Sequence, residues 1–598
     1  MLYKSSRLGF TSARALLLLT FGGAFASACV SEVAPIPTPP PEPVSASRPP
    51  PPISGGTLLV TKDNSTIVAA DPDRDRVLIA DVDSRSLSGE IQFDVGDEPG
   101  RVVEGAPGRV YVALRRAGEV VAIDLAQKKI VSQTAVCPAP RGMAFTNGQL
   151  HVACAGGELV TFDAATNARV RTLKPGDDLR DIVVQGTDLL VSQFRTAKIL
   201  RIDANGAIKE IQSMIAGSPF SFGMEAAVAW RMVQLPTEGG VGIAHQSASI
   251  NPIMDDQEGG YGEPGPCGDE GVVKSFVSFG NGAFGVPMKT GTTIRRSALP
   301  VDIAFSKDGT RFAVVSAGSN TVIERDAIAY KATADSGECR PDDDDNDEDL
   351  QHGQPIAVAF ADSTRIVQTR EPARLIVGDS EIIELGGESM LDTGHALFHK
   401  AANARTSMAC ASCHPEGHED GRVWQFASTG GRRTQSIAGG ILSTAPFHWN
   451  GDMSGFDTLM SDVFSRRMAG PELAPVEKLA TARWIDTIPQ VAVSPVEDTD
   501  AVTRGKTIFE DAAVGCAGCH SGARMTNNQS MDVGTFGVMQ VPSLQGLVTR
   551  APYMHDGCAA TLEDRFTNTF CGGGDQHGRT SHLSSTQIAD LVTYLKTL

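Results

Sequence analysis

Residues 410–421 read CASCHPEGHEDG, and a second copy of the core motif, CAGCH, begins at Cys516. In a helical turn, positions i, i+3 and i+4 share one face. Cys410, Cys413 and His414 therefore project together, as do Cys516, Cys519 and His520. Two thiols at that spacing can be attached to the two vinyl groups of a haem, while the histidine binds the iron from one side. Zinc would need two further ligands at matched spacing, and none accompanies either motif. A redox dithiol would want a βαβ setting, which the flanking sequence lacks. Two covalently attached haem c groups are expected, with His414 and His520 as iron ligands.

Working outward, each motif sits in a similar frame. GHALFHKA starts at Gly394 ahead of the first, and GKTIFEDA starts at Gly505 ahead of the second. Each copy closes on an amphipathic helix. In the second, Ile588, Leu591, Val592 and Leu595 follow the i, i+3, i+4, i+7 rule, behind a Ser584/Gln587 capping box. In the first, PVEKLATARWIDTI begins at Pro475, with proline at the helix entry. A helix, the motif and a closing helix outline a small class I cytochrome c. Two such units are expected, at 386–495 and 496–598, forming a mainly α domain.

The region 57–385 reads as all-β. A hydrophobic–Asp step ends a strand at Asp83, Asp124, Asp163 and Asp203, at intervals of 41, 39 and 40 residues. A steady period near 40 is the signature of propeller blades with about four strands each. The pattern weakens over about 215–298, which reads as a disulfide-stapled insertion on a blade.

The first 28 residues read as an export signal: Lys4, Arg7 and Arg14, then the apolar ALLLLTFGGAFA, then ASAC ending at Cys29. Cys29 is the expected lipidation site, and 29–56 is an expected proline-rich tether. This places the chain in the periplasm or cell envelope, with a lipid as its membrane link. Beyond Cys29 and the two motifs, six of the 11 cysteines remain. Nearest-neighbour pairing gives 137–154, 267–339 and 558–571, although six cysteines allow 15 arrangements. Disulfides suit an oxidising compartment. The net charge of -19 argues against nucleic acid as a partner. The acidic run at 341–350 reads as a solvated loop, with calcium binding as its functional alternative.

PVDIAFSKDGTRFAVVSAGSNTVIE, from Pro300, resembles the repeats of YVTN/YncE-type seven-bladed propellers. In the C-terminal part, GGRRTQSIAGGILSTAPFHWNGD, CAGCHSG and VPSLQGLVTRAPYMHDGCAATLEDRF resemble the di-haem cytochrome c peroxidase/MauG family, over essentially all of 386–598. The resemblance gives His414 and His520 proximal roles, makes Trp449 an electron relay between haems, and puts His555 near the haem pair. It implies Glu472 as the catalytic acid. The family's usual distal ligands are absent: their positions hold Gly430 and Thr569. His448 is the leading substitute at the first iron, ahead of His418 and Met408, and His448 could alternatively serve as the acid–base group. Met554 leads at the second iron, in competition with Met539 and His577.

The resemblance implies reduction of H2O2 with electrons from a small periplasmic donor, a cytochrome c or a cupredoxin. Two alternatives stay open: a non-catalytic electron carrier, and a MauG-like enzyme oxidising a protein partner bound by the propeller.

Overall fold

A computed structural model describes residues 42–598, except 216–222, 238, 263–270, 281–285, 287, 337–346 and 351–352. The signal, Cys29, Cys267, Cys339 and residues 341–346 of the acidic run lie outside the described residues. Among the described residues, no group of three or more acidic, histidine or cysteine side chains could hold a metal ion. No helix there is long and apolar enough to cross a membrane.

Seven antiparallel sheets, running from Leu58 to Glu384, make a seven-bladed β-propeller. Each blade is built from consecutive strands. The fifth carries an additional short strand, Met214–Ile215, paired parallel to Met288–Thr290. The middle strands are sandwiched between neighbouring blades, which is why Thr66–Asp71 and Arg109–Leu114 are almost wholly buried and read as apolar runs. The outermost strands, such as Ser86–Gln92, face water and alternate. The ring closes without a shared strand. Gly56 donates to the Ile356 carbonyl (3.2 Å), and Thr57 and the Ala70 carbonyl both bond Gln368. The repeated aspartate caps the turn before the fourth strand: Asp124, Asp163 and Asp203 each accept a backbone N–H two or three residues on. In the first blade this role falls to Asp81, which accepts from Ser84, rather than to Asp83.

Cys137–Cys154 and Cys558–Cys571 are bonded, as nearest-neighbour pairing expects. The weakly patterned region is largely the fifth blade itself, with strands Met224–Gln234, Val241–Ser249 and Val273–Gly280.

The C-terminal module is a duplication with one order of parts: entry helix, motif, two-stranded hairpin, proline turn, closing helix. The helix pairs match closely. A Cβ on Gly394 would lie 2.4 Å from the Ala480 carbonyl oxygen, and one on Gly505 would lie 2.0 Å from that of Asp590. Both helix crossings therefore require glycine. Four residues on, Phe398 packs on Trp484 (5.0 Å between ring centroids) and Phe509 on Tyr594 (5.3 Å). The Ser584/Gln587 capping box forms, with bonds of 2.9 and 3.2 Å.

Residues 42–56 do more than space the propeller from an anchor. They run between it and the first cytochrome-like unit. Trp484 Nε1 donates to the Pro50 carbonyl (3.0 Å), Ile53 N–H donates to His399 Nε2 (3.2 Å), and Arg180 reaches the Ser54 carbonyl (2.7 Å).

Candidate functional site

Both motifs open onto one cavity of about 700 Å³, whose wall includes Cys410, Cys413, His414, Cys516, Cys519 and His520. None of the four cysteines is disulfide-bonded. Burial pushes the Cys410 thiol up to about 12. Burial, then Asp420, pushes Cys413 well above its ordinary value.

The histidines are oriented for ligation. His414 Nδ1 donates to the His418 carbonyl (2.9 Å) and His520 Nδ1 to the Met525 carbonyl (3.2 Å). A carbonyl only accepts, so each ring keeps its proton on Nδ1 and leaves Nε2 as a free lone pair. Burial keeps both rings neutral, pushing His520 down to about 4. His418 thus acts through its backbone on the proximal histidine.

Three cavity-lining arginines leave buried N–H groups without a protein partner: Arg433 Nε, Arg550 Nε and a terminal nitrogen of Arg565. Orphaned guanidinium donors in an apolar cavity fit the carboxylates of a haem. Paired thiols, imidazole nitrogens and arginine N–H groups left without a partner fit a c-type haem.

The two proline turns are structural equivalents. Residues 445–452 (APFHWNGD) and 551–557 (APYMHDG) each form an antiparallel bridge, Phe447 to Met453 and Tyr553 to Ala559. Each holds a non-glycine residue in the left-handed region, His448 at φ 66° and Met554 at φ 73°. Such a conformation in a non-glycine residue marks an over-determined position. The leading distal candidates therefore occupy the same position in the two repeats, and both line the cavity. His448 Nδ1 turns toward Asp452 (3.4 Å). The next residues, Trp449 and His555, meet edge to face at 6.2 Å, at the seam between the halves. Trp449 Nε1 donates to the Arg433 carbonyl (2.7 Å), and its own carbonyl accepts from Gln540 N–H (2.7 Å).

His577 stands 6.1 Å from His520, ring centroid to centroid, at a tilt of 34°. That is close to the separation of two imidazoles sharing one metal ion about 2 Å from each ring nitrogen. Among the described residues, no histidine ring faces His414 in this way. Glu472 is not in the cavity wall. Its side chain is 66% exposed and pairs with Lys478 (2.7 Å) at the entry of the closing helix, so the geometry does not place it as a catalytic acid.

On the other side of the motif, Glu416 is inserted into the mouth of the propeller. It meets Arg180 (2.6 Å), Arg141 (3.1 Å) and Arg115 (3.3 Å), from the fourth, third and second blades. Burial alone would push its carboxyl up, but Arg180, Arg141 and Arg115 hold it well below the usual carboxylate range. Sequence reasoning missed this anchor, the three orphaned arginines and the propeller residues in the cavity wall. Glu416 lies inside the quoted motif, yet its partners are more than 200 residues away.

Residues 502–598 match the cytochrome c family. Hydrazine synthase subunit gamma of Kuenenia stuttgartiensis is 29% identical over 272 residues, covering 34% of this chain and 76% of that protein. Methylamine utilization protein MauG of Methylorubrum extorquens is 27% identical over 273 residues, again covering 34% and 76%. Among solved structures, K. stuttgartiensis hydrazine synthase aligns at 16% identity over 56% of this chain and 96% of that one, with a TM-score of 0.44. Streptogramin B lyase aligns at 11% identity over 55% and 94%, with a TM-score of 0.38. The chain is a seven-bladed β-propeller joined to a haem c redox module that ends in a cytochrome c domain and is homologous to MauG and the hydrazine synthase gamma subunit.

Proposed function

We propose that the chain holds two c-type haems, an enzymatic one at the first motif and an electron-transfer one at the second, and reduces H2O2. The observation that carries the division is the asymmetry of the two sites. His577 stands 6.1 Å from His520 at the second, whereas among the described residues no histidine ring lies at that distance from His414. His577 therefore replaces Met554 as our assigned second ligand at the His520 site. Haem c supplies one-electron redox chemistry and, at an open iron, a position for peroxide. The chain's own residues hold the sites: Cys410, Cys413 and His414 at the first, and Cys516, Cys519, His520 and His577 at the second. His448, paired with Asp452, is positioned to hold or move a proton at its ring in the first pocket. Trp449 bridges the two halves through backbone hydrogen bonds and its contact with His555, which suits a relay.

The donor is a small redox protein. Exposed Phe536, Val538 and Phe570, on segments flanking the second site, are a suitable apolar contact for it. Export and lipidation at Cys29 would place the reaction in the cell envelope. The test is peroxide-dependent oxidation of a reduced small cytochrome or cupredoxin by the full-length haem-loaded protein. Turnover that falls at least tenfold in His448→Ala supports the reading. No turnover with either donor refutes it.

A further inference from the structure

The first haem cavity is not built by the cytochrome-like units alone. The connection between the Val241–Ser249 and Val273–Gly280 strands of the fifth blade crosses into the module and supplies Ile253, Asp255, Tyr261 and Val272 to the wall. It is fixed there by backbone pairing. Ile253 N–H donates to the Gln425 carbonyl (2.6 Å) and the Ile253 carbonyl accepts from Ala427 (2.8 Å), so the segment adds a parallel bridge to the hairpin after the first motif. Gly259 and Tyr261 donate to the carbonyls of Arg466 (2.7 Å) and Arg467 (3.0 Å), and the Tyr261 carbonyl accepts from Val272 (3.0 Å). Tyr261 is thus clamped on both sides of its peptide, and its ring packs near Phe426 (6.1 Å).

The hydroxyl has a defined polarity. Arg467, which also lines the cavity, is the cation nearest it, and no hydrogen bond from the hydroxyl to a protein acceptor forms among the described residues. An arginine can only donate, so Arg467 does not take up the phenol's proton, which remains to be given elsewhere. The nearby carboxylate of Asp255 is taken up by Ser428, through its N–H (3.3 Å) and its hydroxyl (2.7 Å). Burial pushes the phenol up to about 12, so it stays protonated at neutral pH. Its neighbour Phe426 belongs to the hairpin after the first motif, which puts the ring on that side of the cavity.

We propose that Tyr261, carried by the propeller, is a hydrogen-bond donor to acceptor ligands bound in the first haem's pocket, so that the propeller completes that site. The inference rests on the open first site proposed above. Its test is the fluoride affinity of the full-length, haem-loaded ferric protein, followed by visible absorption, in wild type and Tyr261→Phe. Fluoride is a strong acceptor, and losing one neutral donor is expected to weaken its binding about tenfold. Imidazole, whose ligating nitrogen spends its lone pair on the metal, should bind with affinity changed less than threefold. Haem content per chain is expected to be unchanged. Fluoride affinity within twofold of wild type overturns the role of Tyr261 and leaves the proposed function standing. Equal loss of fluoride and imidazole affinity also overturns it, because the pocket has then collapsed. If wild type takes no fluoride at either haem, the proposed function fails and this inference fails with it.

Discussion

Replacing Glu416 by glutamine keeps the side chain's shape and one acceptor oxygen but removes the carboxylate that Arg180, Arg141 and Arg115 share at 2.6–3.3 Å, leaving Arg141 its pair with Asp178 (2.6 Å) and Arg115 its pair with Glu98 (3.2 Å). All four side chains are at most 14% exposed. At an effective dielectric near 20, one unit-charge pair at 4 Å is worth about 4 kcal/mol. Three such attractions are opposed by the desolvation of all four groups, so the intact cluster adds far less than their sum. Removing one partner is different, because Arg180, 1% exposed, then stays buried without its ion-pair contact, beside Arg141 and Arg101. The expected loss for Glu416→Gln is about 3–5 kcal/mol. Denaturant unfolding of the haem-loaded protein, read by far-ultraviolet circular dichroism for the propeller and by Soret absorption for the redox module, measures it. Because Glu416 bridges the two, both transitions should shift. Pairing the change with Arg180→Met should then cost less than the two single losses combined. A loss under about 1 kcal/mol, or strict additivity with Arg180→Met, would refute the claim that this cluster fastens propeller to haem site.

Other consequences follow from the packing. Gly505→Ala puts a methyl 2.0 Å from the Asp590 carbonyl oxygen and should destabilise the second unit by about 3 kcal/mol; unchanged thermal unfolding and haem content would contradict that helix crossing. Asp181, buried between Arg101 (3.0 Å) and Arg231 (2.9 Å), would be raised by burial, but Arg101 and Arg231 hold it below its ordinary 3.8. A carboxyl depressed in the folded state contributes stability above its unfolded pKa and loses it as pH falls through the folded value. Stability should therefore drop below about pH 4, and Asp181→Asn should flatten that acid limb while lowering stability at neutral pH; an acid limb of unchanged slope would contradict the assignment.

What was legible in the sequence was local or periodic. The motif is a five-residue pattern, the blades repeat about every 40 residues, and the cytochrome-like units repeat glycine, phenylalanine and motif in one order. What was not legible depends on segments far apart in the chain. Residues 250–272 carry no haem motif; their length was the only hint, and the bridge from Ile253 to Phe426 and the place of Tyr261 in the wall show residues 253–261 as part of the first pocket. Residues 42–56 have the composition of a tether, yet proline-rich chain has few backbone donors to satisfy and can lie between two folded surfaces. His577 was one of three competitors for the second site because a lone histidine sixty residues past its motif has no periodicity to place it. The equivalence of His448 and Met554 was hidden by their unlike chemistry, although the surrounding AP-x-x-x-x-G frame is visible in both stretches.

The asymmetry of the two sites is the centre of the account, and low-temperature electron paramagnetic resonance of the fully ferric, haem-loaded protein tests it most directly. One low-spin signal from a site with two histidines and one high-spin signal are predicted, with His577→Ala converting only the low-spin signal. Two low-spin signals in the wild-type protein, or a low-spin signal that survives His577→Ala, would contradict it.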